Sequence, residues 1–162
     1  QVGDLVIDDH VPSEPFDPLA YVASYDDLIR AFGTDAHAGR LHYLTYGFDE
    51  QRSSTFDGLQ YIATYVDLID AYGPGRDAGT AHFISNGLDE QRLRDDFDEV
   101  QYLANYKDLQ DAFGTDYEAA TRPYITNGYH ELRTDEPLDA TSLQVVASDE
   151  TEVRAAGLDF LL

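Results

Sequence analysis

Apolar and polar positions follow a pattern that returns three times along the chain. The run F-D-P-L-A-Y-V-A-S-Y-D-D-L-I-R-A-F-G begins at Phe16, F-D-G-L-Q-Y-I-A-T-Y-V-D-L-I-D-A-Y-G at Phe56 and F-D-E-V-Q-Y-L-A-N-Y-K-D-L-Q-D-A-F-G at Phe97, at spacings of 40 and 41 residues. A period of this size is a signature of helical repeat proteins, in which one unit cannot bury its apolar side alone and stacking completes the core. The pattern predicts an all-α stack of three tandem three-helix repeats at 16–55, 56–96 and 97–137. An N-terminal extension at 1–15 and a diverged partial repeat or C-terminal cap at 138–162 flank them.

Within each unit the helix boundaries follow from the punctuating residues. Asp17-Pro18 suits a helix start, with Asp as cap and Pro preorganised at the first position. A second helix is predicted from Ser24, because Ser24-x-x-Asp27, Thr64-x-x-Asp67 and Asn105-x-x-Asp108 resemble a capping box with Asp in place of Glu or Gln. It stops at Gly33, Gly73 and Gly114, read as left-handed C-caps. A third helix starts near Asp35, Gly75 or Asp116 and ends at Gly47, Gly87 or Gly128. Ala38, Ala78 and Ala119 suit close helix approach, and Tyr43, Phe83 and Tyr124 supply bulk. Pro123 stands where the other copies have His42 and His82, and is expected to kink this helix or shift its start.

The extensions have strand character. Val2, Leu5, Val6 and Ile7 read as a short strand, and Leu143, Val145 and Val146 as a second, with Phe160 in an apolar end. A lone strand needs a partner edge. Two pairings are open: within one chain, closing the stack, or between chains, head to tail.

Charge narrows the partners. With 32 acidic against 10 basic residues the net charge is −22, which repels nucleic-acid phosphates and anionic lipid heads. Cationic partners, divalent metal or a salty medium match better. The absence of Cys excludes a disulfide, a zinc thiolate and a cysteine nucleophile. No apolar run is long enough to span a bilayer. A start at Gln1 without a basic, hydrophobic leader suggests a processed or excised piece of a longer protein.

The recurring polar residues read as structural. Asp27, Asp67 and Asp108 fall in a first helical turn, where a carboxylate meets free N–H groups. Arg52, Arg92 and Arg133 follow Glu50, Glu90 and Glu131 by two residues, a spacing that pairs poorly on a helix, so each Arg is expected to reach a carboxylate such as the cap Asp and join unit to unit. His42 and His82 read as half-buried, hydrogen-bonded residues rather than metal ligands. Tyr21, Tyr25, Tyr61, Tyr65, Tyr102 and Tyr106 flank the junction of the first two helices and suit core packing better than stacking on sugar. Tyr46, Tyr117 and Tyr129 are the better surface candidates. Clustered acids such as Asp95-Asp96 and Asp135-Glu136 suit weak calcium binding, but none has calcium-loop spacing. No catalytic residue and no cofactor is expected.

The repeats YVASYDDLIRAFGTD with HYLTYGFDEQR, YIATYVDLIDAYG with HFISNGLDEQR, and YLANYKDLQDAFG with PYITNGYHELR resemble a tandem repeat of many bacterial secreted and surface proteins. The resemblance covers about residues 16–133. It implies export and a structural or interaction role in a large chain, sometimes beside calcium-binding repeats. The expected function is a non-catalytic structural or self-assembly module at the cell surface, self-associating or joining another surface protein. The alternative is a binding module for a cell-surface glycan or another surface protein.

Overall fold

The computed structural model describes residues 16–138. Among these the protein is all-α, with nine helices in three tandem repeats of three, the third helix of each repeat running on into one π-helical turn. The first repeat holds α1 (Pro18–Ala23), α2 (Asp26–Phe32), α3 (Ala36–His42) and π1 (Tyr43–Gly47). The second holds α4 (Gly58–Thr64), α5 (Val66–Tyr72), α6 (Arg76–His82) and π2 (Phe83–Gly87). The third holds α7 (Glu99–Asn105), α8 (Lys107–Phe113), α9 (Tyr117–Pro123) and π3 (Tyr124–Gly128). Helices of six or seven residues are too short to persist alone in water, so packing holds them. The candidate strands, with Val2, Leu5, Val6, Ile7, Leu143, Val145, Val146 and Phe160, lie outside the described residues.

Side-chain caps start α1, α3, α7 and α9, while α6 begins after Gly75, which makes no side-chain cap bond. Asp17 accepts from the N–H groups of Leu19 and Ala20 at 2.9 and 3.1 Å, and Asp35 from those of His37 and Ala38 at 3.0 Å. Asp116 accepts from Ala119 N–H at 3.0 Å. Pro123 takes the last α-helical position, and α9 starts after Asp116 as α3 starts after Asp35, so its start is not shifted.

The capping boxes do not form. The second helices begin at Asp26, Val66 and Lys107, and their N-cap residues Tyr25, Tyr65 and Tyr106 make no side-chain cap bond. An N-cap needs extended backbone, but Ser24 is still helical at φ −71° and ψ −18°, so its hydroxyl donates back to Ala20 C=O at 2.8 Å. The same oxygen accepts from the N–H groups of Thr55 and Phe56 at 2.9 and 3.0 Å. Thr64 accepts from Asp96 N–H, and the Asn105 amide donates to the carbonyls of Thr134 and Glu136. These three residues hold the segment that leaves each repeat.

Gly33, Gly73 and Gly114 have φ of 53°, 50° and 60°, but ψ of −134°, −148° and −109°. They are therefore not in the left-handed helical basin, where ψ is near +47°, but in a region open essentially to glycine alone. The first and third helices approach closely at Gly39, the small neighbour of Ala38. A Cβ on Gly39 would stand 2.7 Å from the Val22 side chain and 3.0 Å from Pro18 C=O.

Packing divides the chain into two units that cut across the repeats. Among the described residues the first contains 16–61 and 75–95, the second 62–74 and 96–138. In the first, α1 packs on α2 and α3 and also on α6 and π2. Arg94 reinforces that join: its guanidinium lies 4.8 Å from the Phe83 ring centre, donates to Ala23 C=O at 2.9 Å and pairs with Asp26. In the second, α7 packs on α8 and α9, and Arg122 donates to Pro74 C=O at 3.2 Å.

Candidate functional site

Each repeat is built round one fully buried tyrosine, Tyr21, Tyr61 or Tyr102. Its ring meets Phe16, Phe56 or Phe97, which in turn lies 4.4, 4.9 or 4.4 Å from Tyr43, Phe83 or Tyr124. Its hydroxyl points at the last residue of the π turn, Gly47, Gly87 or Gly128, where a Cβ would collide with that oxygen. Glycine is needed there for space.

Two of the three hydroxyls are hydrogen-bonded to the expected histidines: Tyr21 to His42 Nδ1 and Tyr61 to His82 Nδ1, each at 3.0 Å. Pro123 has no ring nitrogen to offer. Tyr102 Oη is thus the buried side-chain polar atom, among the described residues, that has no hydrogen-bond partner. Burial pushes the Tyr102 phenol up to about 12, since ionising it would place a charge where water does not reach. Tyr61→Phe is expected to cost about 1 kcal/mol through the lost bond to His82. Tyr102→Phe is expected to be neutral or slightly stabilising, because it removes a hydroxyl buried without a partner. Urea midpoints of the two variants check the contrast, and equal losses would overturn it.

A second recurring feature is an arginine clasp. Arg52 donates from Nη1 to both oxygens of Asp27, at 3.1 and 2.9 Å, and lies 4.8 Å from the Tyr25 ring centre. Arg133 repeats this with Asp108 at 2.9 Å and Tyr106 at 4.8 Å. The partner is the first-turn aspartate, but it belongs to the same repeat, so in these two copies the arginine closes its own unit and does not join two. The helix-based objection to a Glu–Arg pair also fails. Arg52, Arg92 and Arg133 each meet the glutamate two residues earlier through Nε, at 2.7, 2.6 and 2.9 Å. The residue between, Gln51, Gln91 or Leu132, has φ of 56°, 58° or 59°, and this left-handed step brings both side chains to one side.

Burial works against the charged form of Asp27, yet the bonds from Arg52 prevail and hold its carboxyl below the usual range. Arg133 does the same for Asp108. Both carboxylates are 61% exposed, so solvent screening limits each pair to about 1 kcal/mol or less. Their effect is chiefly to orient the turn after the π helix. Asp67 occupies the equivalent first-turn position in α5.

The other candidates are distributed over the surface and the linkers. Tyr25 Oη donates to Ser53 C=O at 3.0 Å and accepts from Ser53 N–H at 2.9 Å, and Tyr106 Oη accepts from Thr134 N–H at 2.8 Å. Tyr46 and Tyr117 are exposed and Tyr129 is half-buried. An open hollow of about 610 Å³ is lined by Tyr43, Phe48, Asp49, Gln51, Arg52 and Ser53. No group of three or more His, Cys, Asp or Glu among the described residues is placed to hold a metal ion. None of the described helices is long and apolar enough to cross a membrane.

Sequence reasoning missed the tyrosine–glycine contact. The signal was present, since both residues recur at one separation in all three copies, but it could not show that the hydroxyl points at the glycine. Fold and site together define an all-α module of tandem three-helix repeats. Comparison with protein-family models, with curated proteins and with solved structures gives no match.

Proposed function

We propose that this chain is a non-catalytic structural or self-assembly module of an exported bacterial surface protein. The observation that carries the reading is the use of the recurring polar groups. Asp27 with Arg52, Asp108 with Arg133, and Tyr21 and Tyr61 with His42 and His82 bond to one another inside their repeats. Side chains so engaged serve the fold, and a repeat array of this kind offers surface rather than a reaction centre. Export and surface location rest on the resemblance of the repeats to those of bacterial secreted and surface proteins. The high acidity suits a medium rich in salt or calcium, which screens self-repulsion.

Light scattering of the purified chain across concentration tests the reading, with sodium chloride and millimolar calcium varied separately. Mass growth with concentration is expected, and growth beyond the effect of ionic strength would assign calcium a specific part. A monomer under every condition removes self-assembly and leaves a different surface partner. The hollow beside half-buried Tyr43 and exposed Phe48 favours a glycan as that second reading, because accessible ring faces stack on sugars. Shifts of the Tyr43 and Phe48 resonances on adding cell-wall polysaccharide would support it, and unshifted spectra would end it.

A further inference from the structure

The three repeats are alike in sequence but not in what covers them, and the differences fall in the first and the third repeat. Leu44, in π1, is 70% exposed, whereas Ile84 and Ile125 at the same place in π2 and π3 are 6% and 2% exposed. The neighbours of Leu44 follow suit: Phe16 and Tyr43 are half-buried where Phe56, Phe83, Phe97 and Tyr124 are buried, and Leu41 and Phe48 are exposed. In the first packing unit, α1 lies on α6 and π2, the face to which Ile84 belongs. An α1-type helix is therefore what the face around Leu44 is shaped to receive.

The chain also carries such a helix with its outer side open. Ala23 in α1 and Ala63 in α4 are buried, but Ala104 at the same position of α7 is exposed. Leu59 in α4 is 2% exposed, while Val100 at its position in α7 is 50% exposed. The first repeat thus presents an open receiving face and the third an open inserting helix, two halves of a join already formed between α1 and the α6–π2 segment.

We infer that α7 of one copy docks on the α3–π1 face of a second copy, Ala104 and Val100 covering Leu44 and Phe48, in a head-to-tail contact. The inference rests on the self-assembly reading and gives it an interface. Because the two surfaces differ, the contact is heterologous and leaves one free end of each kind, so assembly grows as an open chain. The junction is weaker than the internal join. Ser54 stands at the register of Arg94 and Lys107 at that of Asp26, so the ion pair that fastens α1 to the second repeat is not remade. Copies of net charge −22 also repel one another, and added salt favours docking.

Sedimentation of the full chain, of Leu44→Asp, of Ala104→Arg and of their equimolar mixture tests this in raised salt. Both positions are exposed, so helix content is expected to be unchanged by circular dichroism; if either variant unfolds, Phe48→Ser and Val100→Ser replace them. The wild type should exceed twice the monomer mass. Each variant alone should stay monomeric, and the mixture should stop at about the dimer, because only one good face of each kind remains. Variants that assemble like the wild type, or a mixture that stays monomeric, would overturn this interface and leave self-assembly standing. A monomeric wild type would overturn both.

Discussion

Gly87→Ala is expected to lower stability by about 2–3 kcal/mol, near the upper end of what overpacking a well-filled core usually costs. The added Cβ would meet the Tyr61 hydroxyl, 3.2 Å from its ring carbon and 2.8 Å from the Phe83 ring. Tyr61 and Phe83 are both fully buried, so neither ring can swing outward, and the π turn must shift. Shifting it strains the bond between Tyr61 and His82. A partial rescue follows from this geometry. Adding Tyr61→Phe removes the oxygen that the methyl group strikes, so the double variant should lose less than the sum of the single losses, with a coupling of about 1–2 kcal/mol. Rescue stays incomplete because the Phe83 ring is still in the way. Urea unfolding of the four proteins measures the coupling, and strictly additive losses would refute the steric account.

Gly73→Ala is expected to cost about 1–3 kcal/mol by a different mechanism. No atom stands within 4 Å of a Cβ built there, so nothing is overpacked. The cost comes from the backbone, at φ 50° and ψ −148°, which an L side chain avoids. Asparagine tolerates the left-handed helical basin, where ψ is positive, and so Gly73→Asn should be no better than alanine. A D-alanine placed by chemical ligation should be nearly neutral, since the mirror image of this conformation is the ordinary extended one. Thermal unfolding of the three forms separates the accounts. An asparagine that restores stability would show that the cap relaxes into the left-handed basin.

The repeats were legible because the residues that start and stop their helices act locally. Asp17-Pro18, Asp35 and Asp116 cap helices within three residues of themselves, and a glycine after each second helix ends it. The six recurring tyrosines read alike as core packing, yet Tyr21, Tyr61 and Tyr102 are fully buried while Tyr25, Tyr65 and Tyr106 are half-buried, a difference that recurrence does not announce. The role of Ser24 was not, because one hydroxyl has two local choices, and the helical φ and ψ at that residue favour the carbonyl behind it. The Glu–Arg pairs were hidden for a similar reason. A spacing of two pairs or separates side chains according to the φ of the residue between, which Gln51, Gln91 and Leu132 do not announce.

The sequence by itself determined the period, the all-α class and the three helices of each repeat, because capping, glycine stops and apolar spacing are interactions over a few residues. Only the tertiary structure decided which groups those helices bring together. The bond from Tyr21 to His42, the closure of Arg52 on Asp27 and the collision course of Tyr61 with any Cβ at residue 87 join positions about 20 to 26 residues apart, where the path of the chain and not its local preference sets the distance. The same holds for the exposed faces. Leu44 and Ile84 are nearly the same residue in nearly the same repeat, and what separates them is that α1 lies on the face to which Ile84 belongs.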